Sequence, residues 1–134
     1  MTLQITPIYA VPLAVLMLML WVNVTKTRAA KGISIGDAGD IALHEKIRRH
    51  GNFIEWVPIV LLMMLMAELR GVGGMWLHIA GILLVVSRAL HPLGLKADAP
   101  KHPLRIVGNT GSLFALVICV AGIIYSYLGE KIAN

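Results

Sequence analysis

Arg48, Asn52 and Glu55 stand at i, i+4 and i+7, a spacing that keeps them within about 60° of one face of an α-helix. Arg88 and His91 share a face in the same way, and Arg105 is followed by Asn109 and Ser112 at i+4 and i+7. Together these stripes carry the guanidinium groups of Arg48, Arg88 and Arg105 around one carboxylate, Glu55. Brought together they make a cationic pocket, because arginine stays charged and its planar fork matches carboxylates and phosphates. The surplus charge calls for an anionic ligand, while Glu55 can receive a ligand ammonium. A structural alternative stands beside this one, in which Glu55 pairs with Arg88 or Arg48 and orients the helices.

The elements that position these residues follow from composition. Of 134 residues, 57% are hydrophobic and only 14% charged, and the mean hydropathy is +0.78, too little polar surface to coat a water-soluble globule. Four apolar stretches, approximately 5–25, 41–69, 72–90 and 104–128, are each long enough to cross about 30 Å of hydrocarbon. They occupy most of a single domain, 1–134. None alternates apolar and polar residues as a barrel strand would, so the expected fold is an all-α integral membrane bundle of four transmembrane helices. The first stretch has no Lys or Arg before it and reads as a retained helix rather than a cleaved signal.

Charge sets the expected orientation. Lys26, Arg28, Lys31, Lys46, Arg48 and Arg49 flank the first loop, and Lys96, Lys101 and Arg105 flank the third, whereas the other side carries Arg70 and Lys131. The positive-inside rule puts loops one and three in the cytoplasm and both termini outside. This accounts for the net charge of +5 without nucleic acid. The three polar stripes then converge at the cytoplasmic end, where the N-termini of the second and fourth helices add their free N–H groups. The glycine-rich turn after Leu69 predicts antiparallel second and third spans, and Asp37 or Asp40 is expected to cap the second helix.

Other residues read as structure. Gly108, Gly111 and Ala115 form a small-residue surface on the fourth span that permits close helix contact, with Gly122 extending it. Pro58 is expected to kink the second helix. Cys119 and the methionines Met17, Met19, Met63, Met64 and Met66 read as core or lipid-facing apolar groups. The histidines have no ligand spacing that makes a metal site.

The run Arg48-Arg-His-Gly-Asn52-Phe-Ile-Glu55-Trp-Val-Pro58, followed by Arg88-Ala-Leu-His91 and Arg105, resembles the membrane-associated proteins in eicosanoid and glutathione metabolism, the MAPEG family, in its bacterial type. The second-span run matches the family's Arg-x-x-x-Asn-x-x-Glu signature, and the resemblance covers almost the whole chain. It implies a homotrimer of four-helix protomers that binds glutathione as cosubstrate between protomers near the cytoplasmic face. Carried over, Arg48, Asn52, Glu55, Arg88 and His91 would hold the tripeptide. Arg105 would lower the thiol pKa, or else serve as a headgroup anchor. Where the family usually has tyrosines, after the third-span arginine and early in the fourth span, this chain has Leu95 and Asn109.

The leading functional expectation is a membrane glutathione transferase or peroxidase, with hydrophobic electrophiles or hydroperoxides entering from the lipid. One alternative is a binding or regulatory protein that keeps the anion site without chemistry. Another is a transporter component, which the apolar outer half of the third span and the apolar run after Glu55 disfavour.

Overall fold

A computed structural model describes residues 3–133 and is all-helical there: α1 Thr6–Lys31, α2 Ile41–Leu69, α3 Gly74–Gly94 and α4 Pro103–Ala133. All four are long and apolar enough to cross a membrane. The first and last outrun the expected crossing segments, because a helix ends where its backbone is capped and not where hydrocarbon ends. α1 continues to Gly32, whose left-handed φ of 64° closes the helix, with the Gly32 N–H donating to the Ala29 carbonyl and the Ile33 N–H to the Arg28 carbonyl. α3 begins two residues after Val72, since Gly71 at φ 74° makes the α2–α3 turn. It then passes through Pro92 to Gly94 instead of ending at Leu90.

Asp40, of the two expected candidates, caps α2 by accepting from the Leu43 N–H at 2.8 Å. Asp37 instead accepts from the Gly39 N–H and lies 2.5 Å from His44 Nδ1. Those two partners, the backbone bond first, hold the Asp37 carboxyl below its usual value. An unexpected cap closes the opposite end of the bundle. The Glu68 carboxylate, at the end of α2, accepts from the backbone N–H groups of Gln4, Ile5 and Thr6 at 2.6, 2.7 and 2.8 Å, filling the anion position that a helix N-terminus offers.

The core runs through Leu13 and Leu20 of α1, Phe53, Val57, Val60 and Met64 of α2, Leu77, Ala80 and Leu84 of α3, and Ala115 and Cys119 of α4. α4 packs chiefly on α3, and among the described residues the backbones of α1 and α4 stay more than 8 Å apart between Cα atoms. The small-residue stripe explains the closeness of α4 to α3. A Cβ at Gly111 would collide with Ser87 Oγ, and one at Gly108 would sit 2.8 Å from both the His91 Cα and the Ser87 carbonyl oxygen. Gly122 is in the same position against Val72. Outward faces stay apolar, with Val11, Leu18, Ile59, Ile82, Phe114 and Ile124 exposed, as lipid or protein contact requires.

Candidate functional site

The end of the bundle where α2 begins, α3 ends and α4 begins holds a cleft of about 300 Å³. Of the residues singled out in the sequence, Arg48, Asn52, His91 and Arg105 line it, with Asn109 beside Arg105 on α4. His44, Glu45 and the α3–α4 connection at Leu95, Lys96 and Ala97 complete it.

Arg88 lies behind this wall. It is 1% exposed, and its guanidinium donates to Asn52 Oδ1 at 3.0 Å and to the Gly108 carbonyl at 2.7 Å, 5.9 Å from the centre of the Trp56 ring. Its Nε is buried with no partner. Its partners among the described residues are therefore an amide, a carbonyl and a ring face, with no carboxylate. Arg88 fixes the Asn52 side chain from α2 and the Gly108 backbone from α4 at once. His91, 2% exposed, packs its Cβ against the space above Gly108.

The partner of Glu55 is Arg48, at 3.4 Å from Nη1, with both side chains about half exposed. Glu55 sits two turns along α2 and does not line the cleft. A pair so long and so open contributes little to stability, which leaves both groups available to a ligand. Arg105 makes one long contact, Nη1 to the Pro100 carbonyl at 3.4 Å. Its position is fixed by the backbone: Gly94 lies directly against the Arg105 N–H, and His102 Nδ1 accepts from Leu104 N at 3.2 Å at the start of α4. Ser112 departs from the expected stripe, being buried and donating to the Gly108 carbonyl at 2.9 Å.

A larger groove of about 750 Å³ opens at the other end of the bundle, between the start of α3 and the end of α4. Its walls, among them Val72, Trp76, Ile118 and Tyr125, bring no charged group to it. Of these two cavities it is therefore the smaller cleft that charged side chains line. Among the described residues no group of three His, Cys, Asp or Glu side chains is arranged to hold a metal ion.

The model of the MAPEG family matches residues 6–125, a stretch that contains all four helices up to the last turns of α4. The chain belongs to the MAPEG family. Among curated proteins it is similar to the inner membrane protein YecN of Escherichia coli K12, 34% identical over 91 residues that make up 68% of this chain and 70% of YecN. YecN of Escherichia coli O6:H1 matches equally. No solved structure matches the chain. It is thus an integral, multi-pass membrane protein of the MAPEG family, and every cleft residue lies within the matched segment.

Two residues of this MAPEG chain to which sequence reasoning assigned no role at the site support the cleft: Glu45, which lines it, and Arg49, which lies behind Glu45. Glu45 accepts from the Ala97 N–H and from Arg49 Nη2, both at 2.8 Å, and Arg49 Nε donates to the Leu95 carbonyl at 3.0 Å. The signal was the i, i+4 spacing of opposite charges at 45 and 49. Their partners lie on a connection about fifty residues away, which no periodicity reveals.

Proposed function

We propose that this protein binds glutathione in the cationic cleft and uses its thiol against hydrophobic electrophiles or hydroperoxides that arrive through the lipid. The observation that carries the reading is the convergence of Arg48, Asn52, His91 and Arg105 on one 300 Å³ cleft in a MAPEG chain. Glutathione offers two carboxylates, an ammonium, two amides and a thiol. Arg48 and Arg105 suit the carboxylates or the developing thiolate, Asn52 suits an amide, and Glu55, half exposed beside Arg48, suits the ammonium.

In this reading the cleft faces the cytoplasm, as the positive-inside rule implies. The protein works as a homotrimer, with a neighbouring protomer covering the open side of Arg48 and Glu55. A thiol of ordinary pKa near 8.5 is only a few per cent thiolate at neutral pH. A guanidinium beside the sulfur raises that fraction about tenfold for each 1.4 kcal/mol of preferential interaction. Arg105 is the group assigned this task. The thiolate then attacks an electrophilic carbon and expels its leaving group. With a hydroperoxide it takes the terminal oxygen and releases the alcohol, and a second glutathione converts the resulting sulfenic acid to disulfide and water.

A second reading, a MAPEG protein that binds glutathione without chemistry, is favoured by Leu95 and Asn109, which line the cleft in the neighbourhoods where the family usually has tyrosines. Glutathione binding to the purified protein, with ultraviolet detection of thiolate, separates the two. Saturable binding with a thiolate signal that Arg105→Ala removes supports the enzyme. Binding without thiolate or turnover supports the second reading, and no saturable binding rejects both.

A further inference from the structure

Among the described residues Glu45 is the one carboxylate that lines the cleft, and a carboxylate among Arg48, Lys96 and Arg105 should compete with any anionic ligand for those cations. Both of its oxygens are, however, engaged elsewhere. One oxygen accepts from the Ala97 N–H and the other from Arg49 Nη2, while Arg49 Nε reaches past it to the Leu95 carbonyl. The two side chains are 22% and 25% exposed, against about 50% for Glu55 and Arg48, so the Glu45–Arg49 pair is the better sheltered from solvent. It grips the backbone on both sides of Lys96. It also fixes how the chain leaves α3, because Leu95 is the C-cap residue, extended and donating to the His91 carbonyl at 3.1 Å.

We propose that Glu45 and Arg49 are a positioning pair that holds the Leu95–Ala97 connection as a cleft wall and neutralises the Glu45 charge, so that Arg48 and Arg105 remain available to an anion. This rests on reading the cleft as an anion site. Arg49 is then not a ligand group itself. Without it, the Glu45 carboxylate is returned to a cleft whose other titratable groups are His44, Arg48, His91, Lys96 and Arg105, where it draws on the cations and opposes a thiolate.

The test uses the full chain in lipid nanodiscs, with Arg49→Met, Glu45→Gln, the double variant and Arg49→Lys. In Arg49→Met the pH midpoint of the glutathione thiolate signal rises by roughly half a unit, and affinity falls about fivefold, the effect of one like charge in a half-solvated cleft. Adding Glu45→Gln brings the midpoint back, because the offending charge has gone, even though the Ala97 amide exchanges faster in both proteins. Arg49→Lys, which keeps the charge but not the fork, preserves the midpoint. A double variant whose midpoint is shifted at least as far as that of Arg49→Met overturns the proposal, as does an Ala97 amide unprotected in wild type. Wild type that binds no glutathione rejects the proposed function instead. The pair is then decided by inorganic sulfate, for which the same loss and rescue are expected, and failure of wild type to bind sulfate overturns it.

Discussion

Replacing Gly108 with alanine tests the link between helix packing and the site. Alanine in place of an interior helical glycine contributes about 1 kcal/mol through helix propensity. Against that, the new Cβ would lie 2.6 Å from His91 Cβ and 2.8 Å from the His91 Cα and the Ser87 carbonyl oxygen. Two of these are backbone atoms, which no rotamer change can move. Overpacking of this kind costs about 1–3 kcal/mol. As α4 retreats, the 2.7 Å bond from Arg88 to the Gly108 carbonyl is stretched, and a hydrogen bond from a charged donor is worth about 1.5–3 kcal/mol. The net expectation is a destabilisation of about 1.5–5 kcal/mol, accompanied, under the proposed function, by weaker glutathione binding, because Arg88 also holds Asn52. Unfolding in mixed micelles followed by helical circular dichroism measures the first effect, with Gly129→Ala, whose Cβ meets nothing within 4 Å, as the control. Gly111→Ala supplies a contrast, since its Cβ meets the Ser87 hydroxyl and Ser87→Ala should restore much of its stability. The reasoning is refuted if Gly108→Ala is as stable as Gly129→Ala, or if Ser87→Ala rescues Gly108→Ala equally well.

Glu68→Gln should speed amide exchange at Gln4, Ile5 and Thr6 and cost about 1–2 kcal/mol, since the charge at a helix N-terminus is lost while one acceptor remains; unchanged exchange would contradict this. Tyr9→Phe removes the 2.7 Å contact to His78 while leaving the ring over Gly81, so a loss near 1 kcal/mol in micelle unfolding is expected, whereas a loss above about 3 kcal/mol would mean that the hydroxyl does more than bond His78. The Asp37 and Asp40 carboxyls are held below 3.8, Asp37 chiefly by the Gly39 N–H and Asp40 chiefly by Lys31. Depressed carboxyl values lend stability that is complete above 3.8 and is lost as pH falls through the lower folded values. Exchange at Gly39 and Leu43, corrected for intrinsic rates, should therefore accelerate only below 3.8, and acceleration already at pH 5–6 would assign it to another group.

The membrane fold was legible because its cause is local. Each apolar run is a property of consecutive residues, and the stripe of Gly108, Gly111 and Ala115 marks a close contact whatever it faces. Helix ends were less legible at α1 and α3, where Gly32 and Gly71 decide them through left-handed backbone rather than through hydropathy. The α1 cap was beyond reach from sequence, since Glu68 lies more than sixty residues from the amides it binds.

At the site, residue type and helical phase brought the polar stripes to one end of the bundle but left the pairing of charges open. That pairing is a three-dimensional allocation. Arg49 is taken by Glu45 and the Leu95 carbonyl, and Arg88 by Asn52 and the Gly108 carbonyl. Among the described residues Arg48 and Arg105 keep only contacts of 3.4 Å. Burial explains the division. A guanidinium inside the bundle must have its donors met by protein, so Arg88 is committed to structure, and the clamp on Leu95 commits Arg49. Of these four arginines, the ones still free to bind something else are Arg48 and Arg105 at the rim, and they come from different helices, α2 and α4. A ligand held between them therefore senses any change in the distance between α2 and α4. That distance is what Arg88 ties down from behind, and Gly108 allows α4 to come close enough for the tie to form.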